Sequence, residues 1–377
     1  MNDRNVRIRN ILVPVLSVIL GLVIGAILMA AFGYNPVIGY QSMLNASLGN
    51  LRSIGETLRQ ATPLIFTALG FSIANSAGFF NIGLSGQALC GWVASVSLAL
   101  VFSDLPKVIL LPLCIIAGAL AGALAAAVPG VLRAYFGTSE VIVTIMMNYI
   151  VLYLSTFILQ DWMPESFRSS LDSSNRITEN ASLNMESLST FFGGSRVNAG
   201  LFLALLGLVV VWFIMKKTTL GYEIRAVGLN PNASEYAGMS SKRTIILSMV
   251  LSGTFAGLGG VVEGLGTYQN FFVQTESLSI GFDGLAVSLL GAGTSIGILL
   301  SALLFSVLQI GGLGMQTGAG VPFEIVNVVI ALIIFFVAIS YITRVLLAKI
   351  MPDKRQEEVV HDIESSTGDQ DGKGGGL

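Results

Sequence analysis

The residues best suited to chemistry lie at the head of an apolar run, at residues 80–87, which read FNIGLSGQ. Amide side chains in this stretch donate and accept hydrogen bonds at the same time. The glycines beside them allow a helix to break or two backbones to approach closely. Two interpretations stay open: a discontinuous helix beside a pathway for a polar solute, or a helix cap with interhelical hydrogen bonds. The candidate residues are Phe80, Asn81, Gly83, Ser85, Gly86 and Gln87.

Asn148 is a further candidate for lining such a pathway, because it lies deep in another apolar run, within the sequence TIMMNY. Three carboxylates, Glu140, Glu263 and Glu324, stand at the ends of apolar runs instead, where we expect water to reach them. Ionisable groups at membrane depth are costly and mark functional sites. Their near absence favours an uncharged or net-neutral permeant and argues against ion coupling through buried carboxylates.

The sequence contains few residues of the types that commonly serve in catalysis. His361 is the one histidine, and Cys90 and Cys114 lie within apolar runs, where cysteine packs as a small hydrophobe. The sequence contains no GxxxxGK[ST] phosphate loop and no basic patch interleaved with aromatic residues. We therefore predict no enzymatic activity, no metal site, no cofactor in this chain and no nucleic-acid partner. An ATPase that drives this chain would be a separate subunit.

The composition indicates the class of fold that positions these residues. The 377 residues are 53% hydrophobic and 11% charged, whereas soluble chains carry about 25% charged residues. Mean hydropathy is +0.78. These values fit an all-α polytopic membrane protein. The 43 glycines include the pairs Gly118/Gly122 and Gly253/Gly257, whose four-residue spacing predicts close helix packing.

Apolar runs and flanking charges predict about ten crossings with both termini in the cytoplasm. Residues 33–60 are predicted to form an extracytoplasmic amphipathic stretch. The run at 282–292 is too short for a regular span, so we expect it to be broken, re-entrant or extended by its neighbours. The expected crossings are residues 11–32, 61–77, 82–102, 108–133, 140–159, 199–215, 244–262, 282–292, 296–313 and 324–347.

The predicted domain organisation is a cytoplasmic N-terminus (1–10), a transmembrane domain (11–347) and a disordered cytoplasmic tail (348–377). The polar stretch 161–198 carries three bases and five acids, which is consistent with the outside. Residues 61–159 hold four of the expected spans and residues 244–347 hold four, an arrangement that suggests two inverted repeats.

A basic interruption at residues 216–243 is predicted to stay in the cytoplasm, because it carries five bases against two acids. Asn230 is suited to cap a helix whose first residue is Pro231. Gly238 is suited to end that helix. We interpret this segment as a docking surface for a cytoplasmic partner.

Two of these motifs resemble one known family. FNIGLSGQ follows a span containing ATPLIFTALGFSIANSAG, and together they resemble the signature of permeases of the branched-chain amino acid, ribose and nucleoside class of ATP-binding cassette importers. Residues 221–243, GYEIRAVGLNPNASEYAGMSSKR, resemble the cytoplasmic coupling loop of these permeases. The resemblance covers most of residues 55–345. It is most similar to the larger permease of nucleoside importers, which work with a basic-membrane-type lipoprotein.

The resemblance implies a bacterial plasma-membrane permease that imports nucleosides, especially purine nucleosides, by alternating access. Its implied partners are a second permease, an external binding lipoprotein and an ATP-binding subunit that holds ATP and magnesium. Residues 80–87 would lie beside the translocation path. The residues implied to couple to the ATPase are Gly221, Arg225, Gly228, Asn230, Pro231, Glu235 and Gly238.

Other functions remain possible at this stage. The same class of importer carries ribose or another simple sugar as an alternative substrate. An ion-coupled secondary transporter would work alone and fail with an uncoupler. A membrane-embedded enzyme would need clustered ligands, which the sequence lacks, and a scaffold subunit would need no polar residues within its spans.

Overall fold

The computed structural model describes residues 3–338 of the chain. The predicted tail at 348–377 and the end of the last predicted span, 339–347, lie outside the described residues. The described residues divide into two compact units, one of residues 3–33 with 328–338 and the other of residues 34–327. In the first unit, a β-carbon at Gly21 would lie 2.8 Å from the Cα of Ile333, so the two backbones touch there.

The described residues are mostly helical, as predicted. Two π-helical segments, Ile158–Trp162 and Glu263–Tyr268, directly continue α6 and α11. The short strands β1 (Arg168–Ser170) and β2 (Ser173–Ser174) pair antiparallel. The helices are α1 (Asp3–Ala31), α2 (Pro36–Leu48), α3 (Leu51–Ser76), α4 (Leu84–Val101), α5 (Lys107–Phe136), α6 (Glu140–Phe157), α7 (Glu186–Phe191), α8 (Gly200–Lys217), α9 (Thr219–Leu229), α10 (Pro231–Tyr236), α11 (Ser241–Val262), α12 (Ser279–Leu290), α13 (Ser295–Ala319) and α14 (Phe323–Ala338).

Six helices are long and apolar enough to cross a membrane, by length and composition, within residues 3–338. They define an all-α multi-pass membrane protein, in agreement with the sequence. Three shorter apolar helices accompany them: Val18–Ala31, Ser279–Leu290 and Phe323–Phe336. The six are Leu84–Val101, Lys107–Phe136, Glu140–Trp162, Gly200–Lys217, Ser241–Tyr268 and Ser295–Ala319.

The predicted short run at 282–292 is a broken element, as expected. α12 has 12 residues and follows a non-helical stretch at residues 269–278. After α12 the chain turns through left-handed backbone at Ala292 (φ 50°) and Gly293 (φ 64°). With 12 residues, α12 extends about 18 Å, which is too short to cross about 30 Å of hydrocarbon, and its ends need partners from other elements.

The glycine pairs pack helices as predicted. A β-carbon at Gly122 of α5 would overlap the carbonyl oxygen of Gly253 of α11, and one at Gly257 would lie 2.6 Å from the carbonyl oxygen of Gly118. A β-carbon at Gly260 would overlap the carbonyl oxygen of Ala88 on α4. Helices α4, α5 and α11 thus meet backbone to backbone.

The polar stretch after α6 is folded against the break that precedes α12. Backbone hydrogen bonds join Ser174 N to Phe271 O (2.7 Å), Ile177 N to Gln269 O (2.9 Å) and Leu183 N to Leu265 O (3.1 Å). Residues 163–199, called the 163–199 segment below, therefore satisfy backbone groups that the non-helical stretch leaves without helical partners.

Helix α3 connects two ends of the larger unit. A β-carbon at Gly55, near its start, would overlap the Ser195 side chain in the 163–199 segment. At its other end, a β-carbon at Gly228 of α9 would overlap the carbonyl oxygen of Ser76. With 26 residues, α3 is about 39 Å long. The 163–199 segment and α9 thus lie at opposite ends of one helix.

Candidate translocation site and coupling surface

The predicted amides Asn81 and Gln87 form a hydrogen-bonded group with Ser252, and the predicted Asn148 bonds to the backbone beside them. These four residues are called the amide cluster below. Asn81 Nδ2 donates to Gln87 Oε1 (3.0 Å) and to Ser252 Oγ (2.9 Å). Asn81 Oδ1 accepts from Gly83 N (2.9 Å) and Gln87 Nε2 (3.2 Å). Every donor and acceptor of the Asn81 side chain is therefore used, and Asn81 is fully buried.

Asn148 joins α6 to the start of α4. Its Oδ1 accepts from Gly86 N (2.8 Å), and its Nδ2 donates to Ile82 O (3.0 Å). Gly83, the residue before α4, has no side chain with which to cap the helix. The amide from α6 takes over that role, satisfying one of the first free N–H groups of α4.

Residues 80–87 include the end of a connection between two helices and the first turn of the second. The chain leaves α3 at Ser76, turns at Gly78 (φ 80°) and begins α4 at Leu84. The amides at this point form a cap and interhelical hydrogen bonds, and a discontinuous helix beside a pathway stays a prediction. The cluster holds α4, α6 and α11 in fixed register.

The remaining residues of the motif pack near the break that precedes α12. Ser85 Oγ donates to Leu278 O (2.7 Å), immediately before α12. Phe80 packs edge-on against Phe71, with ring centroids 5.1 Å apart. A β-carbon at Gly281 would overlap Ser85. The motif thus joins the start of α4 to the start of α12, and its role in lining the path stays a prediction.

A polar cavity of about 470 Å³ lies near the start of α3, and it is called the polar chamber below. None of residues 80–87 lines it. Segments from four parts of the chain contribute: α3, α4, the 163–199 segment and the stretch from the π-helical turn to α12. Its walls include Arg59, Gln60, Trp92, Arg196, Glu263, Thr267, Tyr268, Gln274, Ser277 and Leu278.

Charged groups are concentrated at the chamber. Arg59 Nε donates to Glu56 Oε2 (2.8 Å), and Glu56 also accepts from Arg196 N (2.8 Å). Burial raises the pKa of the Glu56 carboxyl, but the Arg196 N–H and the Arg59 guanidinium lower it further, so the pKa lies below its ordinary value. Glu56 thereby ties the start of α3 to the 163–199 segment.

Glu263 corrects an expectation from the sequence. We predicted that this carboxylate stands at the end of a span in contact with water. It is only 6% exposed, because the π-helical turn continues α11 to Tyr268 and carries Glu263 inside the bundle. π-helical turns often occur at functional sites. The sequence feature that could have indicated the burial of Glu263 is a lone acid directly following an apolar run, at GVVEGLG.

The coupling segment, residues 218–240, has the local structure that was predicted. Asn230 ends α9 and caps α10, its Oδ1 accepting from Ala233 N (3.0 Å), and Pro231 is the first residue of α10. Gly238 (φ 85°) follows the end of α10, with its N–H donating to Glu235 O (2.9 Å). Thr218 caps α9 through Gly221 N (3.2 Å). Two short rigid helices result.

The coupling segment exposes apolar side chains that sequence reasoning did not select. Leu229 is 89% and Tyr236 is 95% exposed, and Glu235 is exposed between them. Arg225 is half-buried, and its Nη1 is buried without a hydrogen-bond partner within residues 3–338. Gly221 and Gly228 face inward, where their missing β-carbons allow contact with α8 and α3.

In the part of the chain that the structure describes, no group of three or more metal-ligating residues is present.

The fold and the two motifs define a membrane permease, and residues 53–338 match the family described as branched-chain amino acid transport system / permease component. The chain belongs to this family. Its members are permease components rather than enzymes.

Three relatives match nearly the whole chain. The nucleoside ABC transporter permease protein NupB of Lactococcus lactis is 51% identical over 94% of this chain and 97% of its own length. The guanosine ABC transporter permease protein NupP of Bacillus subtilis is 45% identical over 91% and 97%. The glucose ABC transporter permease protein TsgB13 of Haloferax volcanii is 33% identical over 87% of both chains. No solved structure matches this chain.

Proposed function

We propose that this chain is the membrane-spanning permease subunit of an ATP-binding cassette importer for nucleosides, with purine nucleosides as substrates. The observation that carries the proposal is the near full-length match to relatives named for nucleoside and guanosine transport. Because the sequence has no ATP-binding loop, the proposal includes a separate subunit that binds ATP and magnesium. The complete importer would add a second permease and an external binding lipoprotein.

The proposed mechanism is alternating access, driven through the coupling segment. Closing of the ATPase dimer would push α9 and α10. Gly228 of α9 packs on the carbonyl oxygen of Ser76, so the push would reach the end of α3 directly. Because α3 runs to the polar chamber, it would carry the movement along the bundle. Residues 80–87 and Asn148 would lie beside the path and keep α4 and α6 together during the movement.

The proposed orientation puts the coupling segment in the cytoplasm and the 163–199 segment outside a bacterial plasma membrane, with about ten crossings. α8 separates these two regions with 18 apolar-rich residues, about 27 Å of helix. Lys216 and Lys217 at its end favour a cytoplasmic position for the coupling segment.

Single cysteines test the orientation in a background without Cys90 and Cys114. Leu171→Cys, on the 163–199 segment, and Tyr236→Cys, on the coupling segment, replace side chains that are 72% and 95% exposed. A membrane-impermeant thiol reagent should label Leu171→Cys in intact cells and Tyr236→Cys only in inside-out vesicles. The reverse pattern would contradict the orientation.

Docking of the ATPase is tested by co-purification. Arg225→Glu reverses a charge of the coupling segment, and Leu229→Asp with Tyr236→Asp removes its exposed apolar side chains. Both changes should release the ATPase from purified membranes. Leu171→Asp, at an exposed apolar side chain of the 163–199 segment, is the control and should retain it. Undiminished co-purification of the ATPase with both coupling variants would count against the assignment.

Substrate is tested with the complete complex in proteoliposomes. We expect ATP-dependent uptake of labelled purine nucleosides that excess ribose or glucose does not compete away. Effective competition by a sugar would instead favour a sugar importer of the same class. The similarity of this chain to a glucose permease is the observation behind that alternative. Uptake by this chain alone that an uncoupler abolishes would instead indicate a secondary transporter.

A further inference from the structure

We propose that the polar chamber is a binding site for the base of a purine nucleoside during translocation, with Glu263, Arg59 and Tyr268 as its specificity-determining residues. This inference rests on the proposed nucleoside transport and adds the residues that would recognise the solute. It concerns a part of the chain distinct from residues 80–87.

The first observation is that polar side chains in the chamber wall lack ion-pair or hydrogen-bond partners from the described part of the protein. Glu263 is 6% exposed, yet none of the ion pairs among residues 3–338 includes it. Thr267, on the same wall, has a buried hydroxyl that makes no hydrogen bond of ordinary geometry in that range, although it lies near enough to the Glu263 carboxylate to stabilise its charge. Buried polar groups normally have partners. Unused groups around a cavity of about 470 Å³ therefore indicate a polar ligand.

The second observation is an aromatic platform in the chamber wall. Tyr268 stacks on Trp92, with ring centroids 4.9 Å apart and an interplanar angle of 14°. Trp92 is buried and fixed by a hydrogen bond from its Nε1 to Asn270 O (2.9 Å). Tyr268 also packs edge-on with Phe272, with ring centroids 5.3 Å apart, and is still 43% exposed, so part of its ring surface remains for a planar solute. Nucleic-acid bases stack on aromatic side chains in this manner.

The third observation is the chemistry of the charged groups. Arg59 uses its Nε for Glu56, and its two terminal nitrogens make no hydrogen bond to another of the described residues. A guanidinium matches neighbouring acceptors such as O6 and N7 of a 6-oxopurine. A carboxylate accepts two hydrogen bonds at once, and guanine offers adjacent donors at N1 and its 2-amino group. The chamber is also lined by Arg196 and Glu276, but Arg59 and Glu263 are its two buried charged groups. One buried donor and one buried acceptor beside a stacking surface suit a guanine base.

This assignment predicts a graded specificity. Guanosine presents two donors to Glu263, inosine presents one, and adenosine presents an acceptor at the same ring nitrogen. Replacing the carboxylate by an amide in Glu263→Gln puts a donor against the donor edge of guanine. The same amide complements the mixed donor and acceptor edge of adenine.

The test is uptake by the complete importer in proteoliposomes, with the lipoprotein saturated and each nucleoside expressed as the ratio of variant to wild-type rate. For Glu263→Gln we expect guanosine uptake to fall about tenfold or more, because a buried group is left mispaired. Inosine should fall less, and adenosine least. Glu165→Gln, an exposed carboxylate on the 163–199 segment, is the matched control and should not change the order among the three.

A second variant keeps the test decisive if Glu263→Gln fails to assemble. Arg59→Lys retains the charge but loses the planar fork, so guanosine and inosine, which carry O6 and N7, should fall more than adenosine. Equal loss for all three nucleosides, or no loss, in every variant that assembles would overturn the assignment while leaving nucleoside transport intact. Absence of any nucleoside uptake by the wild-type complex would overturn the proposed function itself.

Discussion

The amide cluster and the polar chamber are both buried and polar, but they differ in how completely their polar groups are paired. In the cluster, each donor and acceptor of Asn81 has a partner from the chain itself. In the chamber, Glu263 lacks an ion pair and the Thr267 hydroxyl lacks a hydrogen bond of ordinary geometry within residues 3–338. The two regions are connected through α3 and α4.

The contrast separates two uses of polarity in a membrane. A fully paired network fixes the positions of helices, because breaking any bond leaves a buried group without a partner. A partly paired network remains able to exchange its bonds with a solute. Substitutions in the cluster should therefore affect stability first, and substitutions in the chamber should affect uptake first.

The largest effect is expected at the centre of the cluster. Asn81→Leu leaves the Gly83 N–H, the Gln87 amide and the Ser252 hydroxyl without partners. At about 1–3 kcal/mol for each of these three unpaired buried groups, the loss should reach at least about 3 kcal/mol. Thermal unfolding of the purified complex in detergent measures it. Asn75→Leu, an exposed amide near the end of α3, should have little effect; similar unfolding temperatures for both would contradict a structural role for the cluster.

A smaller effect is expected where the coupling segment meets α3. Gly228→Val would push a side chain into the carbonyl oxygen of Ser76, costing about 1–3 kcal/mol through overpacking. ATP hydrolysis should persist while uptake falls, since movement no longer passes cleanly to α3. The ratio of solute imported to ATP hydrolysed measures this. Ala233→Val, at an exposed position of α10, controls for a change in the same segment. An unchanged ratio in Gly228→Val would argue against α3 as the link.

Two isosteric hydroxyl deletions compare the regions directly. Ser252→Ala removes a partner of Asn81 and should cost about 1 kcal/mol of stability. Thr267→Val removes a hydroxyl that makes no hydrogen bond of ordinary geometry within residues 3–338, so stability should hold or rise slightly while nucleoside uptake falls. Unfolding temperature and uptake are both measured on each variant. A stability loss in Thr267→Val equal to that in Ser252→Ala would remove the distinction between cluster and chamber.

The smallest effect is expected at Glu56. Its folded pKa lies below the ordinary value, so its ionised form stabilises the fold above the unfolded pKa of about 4.3. That contribution is lost as the pH falls through the folded value. Glu56→Gln should therefore lower stability by at most about 1 kcal/mol at pH 7, because the pair is partly exposed. The difference from wild type should shrink on acidification below about pH 4, as followed by thermal unfolding; a difference that grows there would contradict the sign.

Local patterns in the sequence predicted several features of the fold correctly. The Asn230 cap, the Pro231 start and the Gly238 stop depend on backbone geometry within a few residues, so local chemistry determines them. The short run before residue 292 was recognised as broken because its length is insufficient. The glycine spacing correctly indicated close packing between α5 and α11.

The polar chamber could not be predicted in the same way. It combines Arg59, from the start of α3, with Glu263, from the end of α11, which are about two hundred residues apart in the chain. The π-helical turn that buries Glu263 has no hydropathy signature, since Gly and Thr follow the acid. The exposed Leu229 and Tyr236 were also missed, because exposure depends on what packs nearby.

The sequence by itself determined that this chain is a multi-pass helical permease, since hydropathy, glycine spacing and two long local motifs depend only on neighbouring residues. Tertiary structure alone decided which buried polar groups are paired and which remain open. Pairing depends on contacts between helices distant in the chain, and only the folded arrangement of α3, α4, α6 and α11 assigns those partners.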